Sequence, residues 1–185
     1  MTTTPTTAPP QTEPWLRGTH SELPAVHRAI LHAFELAQED VYLWTTDLSD
    51  SDLHAAPFGA TTICFHLRHI PRSLDRLLTY AEGNLLSSEQ ITAMRTESDS
   101  GISRDELLSE FNAGLSSAAY RVRALATADL NQPRSVGRKQ LPTSIGGLLV
   151  HLADHTQRHT GQIVTTAKLI KAMNAGGSIA VHGLT

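Results

Sequence analysis

Residues 144–170 read SIGGLLVHLADHTQRHTGQIVTTAKLI, and apolar side chains recur in this stretch at every third or fourth position. That spacing is typical of one face of an α-helix and predicts a helix from about Pro142–Ser144 to Met173. The apolar stripe consists of Ile145, Leu148, Leu149, Leu152, Ile163, Val164, Ala167 and Ile170. His155 and His159 lie four positions apart on the same face, so we expect both imidazoles to point into the protein.

Three further segments show the same helical spacing of apolar residues. They run from about Leu23 to Thr46, from about Thr61 to Glu82 and from about Ser103 to Thr127. Gly83 is a natural residue to follow the end of a helix, and Ser103 with Glu106 forms a capping-box pattern. The sequence shows no strand-like alternation of useful length and no internal repeat. These segments predict an all-α fold, a four-helix bundle.

About 19 residues separate the second predicted helix from the third, between Gly83 and Gly101. Neighbouring antiparallel helices are usually joined by only a few residues. An extended chain of this length reaches ~60 Å, which is enough to retrace a helix of ~30 Å. We therefore expect an up-down-down-up bundle with a long crossover between helices 2 and 3. A short extra helix around residues 87–94 fits within that crossover.

Composition excludes several classes of protein. The chain has 185 residues, of which 40% are apolar and 18% are charged, as is usual for one soluble domain. A net charge of -3 without a basic run gives no sign of nucleic-acid or membrane-surface binding. No apolar run approaches the roughly 20 residues of a membrane-spanning helix. A single cysteine, Cys64, fits a reducing compartment.

The N-terminal stretch MTTTPTTAPPQTEP lacks the charged and apolar regions of a secretory signal, so we expect a cytoplasmic protein. Its threonines and prolines leave little to bury, and residues 1–20 are predicted to form a disordered or loosely attached arm. The bundle is expected to occupy residues 21–175. Residues 176–185 are expected to form a C-terminal tail.

The spacing of two histidines is weak evidence for a metal site. With 10 histidines in 185 residues, chance alone gives about 0.5 pairs that are four apart. The second predicted helix adds His66 and His69. At 1.5 Å per residue, His69 lies ~20 Å above the base of its helix, and His155 and His159 lie ~18 and ~24 Å above the base of theirs. A three-histidine site is therefore possible geometrically, while hydrogen-bonded core histidines remain the alternative.

Residues 144–170, together with ATTICFHLRHIPRSLDRLLTYAEG at 60–83, resemble the DinB-like superfamily of damage-inducible and YfiT-type bundles. The most specific part is the H-x-x-x-H-x-G-Q run at 155–162 paired with the His-Ile dipeptide at 69–70. The resemblance covers about residues 22–173. It implies an up-down-down-up bundle, commonly a homodimer, that holds zinc or nickel on three histidines. Carried over by position, the implied ligands are His69, His155 and His159.

Two other histidines are reserve candidates for the metal. His66 lies nearer the centre of the apolar stripe than His69, and His151 lies one turn before His155. Pro71 departs from the family pattern and removes the helical bond to the Leu67 carbonyl. A kink beside His69 is therefore expected, and an ideal helical wheel does not choose between His66 and His69.

Three neutral imidazoles leave an open position on a divalent ion, which lowers the pKa of a water or thiol bound to it. Relatives in the superfamily are thiol-dependent transferases and isomerases. The resemblance thus implies a metal-dependent enzyme that uses a low-molecular-weight thiol on a small-molecule substrate. A metal-dependent hydrolase and a non-catalytic, stress-related metal- or ligand-binding dimer are the alternatives. Asp154 should point away from the site, which argues against a zinc protease.

Overall fold

The computed structural model describes residues 12–176 and is mostly helical. Its α-helices are α1 (Ala25–Thr45), α2 (Asp50–Leu53), α3 (Ile63–Ala81), α4 (Ser88–Arg95), α5 (Arg104–Ala124) and α6 (Ile145–Asn174). Two short strands, β1 (Pro133–Val136) and β2 (Leu141–Ser144), form an antiparallel sheet. Short 3-10 helices span Pro14–Leu16 and Pro57–Gly59. The expectation of a mostly helical protein is confirmed.

The four long helices enclose one apolar core. Helix α1 packs on α6 and α5, and α3 packs on α5 and α6. Each long helix turns a stripe of apolar side chains inward at helical spacing, and burial of these stripes stabilises the helices more than local propensity does. The fully buried side chains include Ile30, Leu67, Leu74, Phe111, Leu115, Leu149, Leu152 and Ile163.

Short polar side chains define where the long helices begin. The Thr62 hydroxyl accepts a hydrogen bond from the Phe65 amide, and the Ser144 hydroxyl accepts one from the Gly147 amide. Ser103 and Glu106 form the predicted capping box at the start of α5. These caps satisfy amides that have no partner within the first turn of a helix.

Helix α3 continues as one helix through Pro71. Opposite Pro71, α5 carries Gly114, where an added Cβ would lie only 2.2 Å from the Pro71 Cβ. Real side chains do not approach so closely, so α3 and α5 depend on this glycine for their contact. The close packing places the first half of α3, which bears the histidines, firmly against its neighbour.

The β-hairpin is the element that sequence analysis missed. Each strand has four residues and contains a proline, so neither is long enough to show alternation, and prolines weaken a strand prediction. Gly137 and Gln140 in the connecting turn have left-handed backbone angles, with φ of 71° and 50°. The Arg134 guanidinium donates to the Ala81 carbonyl and ties the hairpin to the end of α3.

Residues 12–20, the described part of the predicted arm, lie against α1. The Arg17 guanidinium donates two hydrogen bonds to the Glu39 carboxylate, of 2.5 and 2.8 Å. The rest of the arm, and all but the first residue of the predicted tail, lie outside the described residues. Within residues 12–176, no helix combines the length and the apolar character that crossing a membrane requires.

Candidate metal centre

His69 on α3 meets His155 and His159 on α6. One ring nitrogen from each of the three lies within 4.8 Å of the others. The Nε2 atoms of His69 and His155 are 3.2 Å apart, and the His159 ring centroid lies 4.5 Å from each of the other two centroids. The structure thus brings together the three histidines that the resemblance implied as ligands.

The donor set fits a divalent ion. Zinc bound at 2.0–2.1 Å by tetrahedral ligands separates two ligand atoms by ~3.4 Å, close to the 3.2 Å between the two Nε2 atoms. Metal ligands must be unprotonated. Burial and the neighbouring His159 and His69 lower the pKa of His155 to about 3, and burial with His69 also lowers the pKa of His159. Both imidazoles are therefore neutral at neutral pH.

Glu97 fixes the tautomer of His69. Burial raises the pKa of this carboxyl, but hydrogen bonds from His69 and Arg76 outweigh burial and lower it. The ionised carboxylate only accepts hydrogen bonds, so His69 Nδ1, 2.7 Å away, carries the proton and donates it. In the neutral ring the lone pair is then on Nε2, which lies 3.2 Å from His155 Nε2 and 3.3 Å from the Ser73 hydroxyl and is the atom that a metal would take.

No motif or periodicity in the sequence singles out Glu97. It lies in the irregular segment TESDS at 96–100, just after α4, where neither periodicity nor a motif exists. It is nevertheless only 5% exposed. Glu97 lies between the second and third long helices, in the connection whose helix α4 packs on α3. This position is the one feature that could have pointed to a contact with His69.

Two arginines of α3 hold the segment that carries Glu97. Arg68 donates to the Thr96 carbonyl, and Arg72 donates to the Ala93 carbonyl at 2.6 Å. The Arg72 guanidinium also pairs with Glu110 of α5 at 2.5 Å. Helix α4 and its flanks are thereby fastened over the face of α3 on which His69 lies.

The two reserve histidines lie beside the three-histidine group and outside it. His66 is 1% exposed, and its Nδ1 is 3.1 Å from Nδ1 of His159. Burial, together with repulsion from His159 and His69 when these rings are protonated, lowers the pKa of His66 to about 4. The half-exposed His151 turns its Nδ1 to Asp154 at 2.8 Å. His66 thus lies next to His159, and His151 lies next to His155 on the more exposed side of the three-histidine group.

The fold and this group define a helical protein with a half-buried cluster of three histidines between two long helices. The family model of the DinB superfamily matches residues 33–163, a range that contains all three. The chain belongs to the DinB superfamily, which confirms the resemblance found in the two motifs. A comparison with curated proteins gives no match. The family and the histidine cluster are both compatible with metal binding.

Proposed function

We propose that the protein is a metal-dependent enzyme, a thiol-dependent transferase that holds a divalent metal on His69, His155 and His159. The observation that carries the proposal is the convergence of three imidazoles, with two Nε2 atoms 3.2 Å apart and the rings half-buried. The three residues keep part of their surface exposed, and the proposal places the thiol and a small substrate on that exposed side. His66 and His151 are reserve ligands only, because the converging group of ring nitrogens does not include them: His66 contacts His159 from outside the group, and His151 turns to Asp154.

Zinc or nickel suits this all-nitrogen donor set. Such an ion lowers the pKa of a thiol or water that binds to it and so supplies a nucleophile near neutral pH. The protein's own contribution is orientation. The Glu97 carboxylate accepts a hydrogen bond from Nδ1–H of His69, and Arg76, 2.9 Å from the other Glu97 oxygen, helps to keep that carboxylate ionised. The low-molecular-weight thiol is the proposed second cofactor.

The proposed scaffold is the up-down-down-up four-helix bundle of residues 21–175. Parallel α1 and α6 are supported by two contacts in the same order along both helices: Gln157 donates to the Ala33 carbonyl, and Lys168 lies over the Trp44 ring. Parallel packing of α3 with α5 would follow from the long crossover that includes α4. In this arrangement α3 and α6 are antiparallel neighbours, which suits the pairing of their histidines.

Arginine pairs between α3 and α5 support the same order. Arg72 pairs with Glu110 near the middle of α3, and Glu82 at its end pairs with Arg121 further along α5. The later residue of α3 thus pairs with the later residue of α5, as expected when the two helices run in the same direction.

We also propose that the protein is a cytoplasmic homodimer. Light scattering of the purified chain would test whether it is a dimer.

The function is tested by turnover. Untagged protein loaded with zinc or nickel is assayed with a panel of small thiols against chromogenic electrophiles such as 1-chloro-2,4-dinitrobenzene. We expect thiol transfer that needs both metal and thiol and that is lost in His155→Gln. The control is His54→Gln, because His54 lies apart from the cluster and contacts the Ile102 carbonyl. Absence of transfer from every thiol to every electrophile would contradict the proposal.

Two alternative functions give different results in the same experiment. A metal-dependent hydrolase would cleave ester substrates without any thiol. A non-catalytic metal-binding dimer would turn over nothing, and the absorption spectrum of its cobalt form would not respond to azide. A thiol requirement together with an azide-induced spectral shift would favour the transferase.

A further inference from the structure

A second group of metal-ligating side chains lies away from the three-histidine cluster. His32 and Glu35 are three residues apart on α1, and His20 belongs to the segment that precedes this helix. One ligand atom from each of the three lies within 4.8 Å of the others. The group shares no residue with the proposed metal centre.

We propose that His20, His32 and Glu35 form a second divalent-cation site, suited to zinc, that fastens residues 12–20 to α1. Two imidazole nitrogens and one carboxylate oxygen are a donor set that zinc takes in sites with an open fourth position. The spacing on α1 is favourable because residues three apart on a helix present their side chains to the same side. The site is independent of the function proposed for the first cluster.

The hydrogen bonds within the group are compatible with a cation taking the place of a proton. His20 Nε2 lies 2.6 Å from the Glu35 carboxylate, so a single proton lies between these two atoms. When that proton leaves, both atoms can bind a metal ion. The Thr19 hydroxyl lies 3.0 Å from His32 Nε2 and can rotate to donate to it or to turn away. Zinc would widen the 2.6 Å contact to ~3.4 Å, a shift within the reach of side-chain rotation.

The backbone and burial of the group indicate a formed site. His32 is only 7% exposed, although imidazole is polar. His20 has a left-handed φ of 57°, which is uncommon for a residue other than glycine. Contacts of the His20 ring with Glu35 and His32 hold this conformation, and a shared cation would hold it more strongly.

One positive charge opposes the cation. The Arg123 guanidinium lies 3.3 Å from His20 Nδ1. When Nε2 of this histidine binds a metal, Nδ1 carries the ring proton and so cannot accept a hydrogen bond from Arg123. Arg123 is exposed, so its side chain can swing into solvent. Replacement Arg123→Gln should therefore strengthen zinc binding, because it removes both the competing donor and the repulsion.

The test counts zinc in the absence of the first cluster. The His69→Gln, His155→Gln, His159→Gln triple variant of the full chain is freed of metal, equilibrated with buffered zinc and analysed by plasma mass spectrometry. We expect about one zinc per chain, lost when His20→Asn or Glu35→Gln is added. Asparagine is chosen because it tolerates the left-handed backbone. If the triple variant does not fold by circular dichroism, the same substitutions in the otherwise unchanged chain should remove one of two zinc ions.

Glu39→Gln is the matched control. It breaks the Arg17–Glu39 ion pair, a separate link between the N-terminal segment and α1, and leaves the proposed ligands intact. We expect this variant to keep its zinc, and zinc to slow hydrogen exchange in residues 12–20. Equal zinc content in Glu35→Gln and Glu39→Gln, or no zinc in the folded triple variant, would overturn the second site while leaving the proposed transferase untouched.

Discussion

Glu97 determines how His69 presents its ring to the other two histidines. In Glu97→Ala, His69 loses the acceptor that fixes its tautomer and orientation, so we predict ~10–100-fold weaker zinc binding, as for other lost partners of metal-bound histidines. Competition with a chromogenic chelator measures the affinity. Glu82→Ala is the control, since Glu82 pairs with Arg121 at the end of α3 that lies away from His69. Equal affinities in the two variants would refute the role of Glu97.

His66 makes the stability of the metal-free protein depend on pH. Its pKa is about 4 in the folded chain and 6.5 ordinarily, because burial disfavours the charged ring. Between these values the unfolded chain binds more protons than the folded chain, so stability falls as the pH is lowered from about 6.5 to about 4. Urea unfolding across that range should show a shallower decline in His66→Gln. An unchanged slope would contradict the assignment.

The contact between α3 and α5 leaves no room for a side chain at Gly114. Gly114→Ala places a methyl group 2.2 Å from the Pro71 Cβ, so we predict destabilisation of about 1–3 kcal/mol from overpacking. Gly161→Ala on α6 is the control, because its added Cβ meets nothing within 4 Å. In Gly161→Ala, the higher helix propensity of alanine should stabilise the protein by up to about 1 kcal/mol. Urea unfolding that ranks the two variants the other way would contradict the packing.

The Ser103 cap is the contribution to α5 that the sequence predicts most directly. Its hydroxyl accepts from the Glu106 amide, and the Glu106 carboxylate accepts from the Ser103 amide. Ser103→Ala should lower the free energy of unfolding by about 1 kcal/mol. Thermal unfolding beside Ser100→Ala, a serine in the loop before the helix, checks this. A similar loss in both variants would show that the cap contributes nothing.

Helical periodicity predicted the long elements well, because each buries one continuous stripe. The first predicted helix begins at Leu23 and α1 at Ala25, and the fourth ends within a residue of Asn174. The third extends to Thr127 in the prediction, whereas α5 ends at Ala124. The hairpin escaped prediction because its pairing depends on a turn and on contact with α3, which short proline-containing strands do not reveal.

For the molecule as a whole, the sequence predicted which histidines share a level, because the rise of a helix is fixed. The structure brings His69, His155 and His159 together, while their role as metal ligands and the up-down-down-up order remain predictions. Glu97 and the pairing of His20 with Glu35 were beyond sequence reasoning. Both depend on how irregular segments fold back onto helices, and such segments carry no periodic signal.

Metal should stabilise the whole fold, because the ligands come from two different long helices. A ligand at a free concentration of 100 times its Kd adds about 2.7 kcal/mol to stability, which raises the Tm of a chain of this size by about 5–10 °C. Calorimetry of zinc-loaded protein against chelator-treated protein measures the shift. An unchanged Tm at saturating zinc would contradict binding to the folded state.

The most direct test of the central claim is metal content. Untagged protein and the His69→Gln, His155→Gln, His159→Gln variant, both folded by circular dichroism, are analysed for metal per chain by plasma mass spectrometry. We predict that the unchanged protein holds about one more divalent ion per chain than the variant. Equal metal content in the two proteins, also after incubation with zinc or nickel, would contradict the claim that these three histidines form a metal centre.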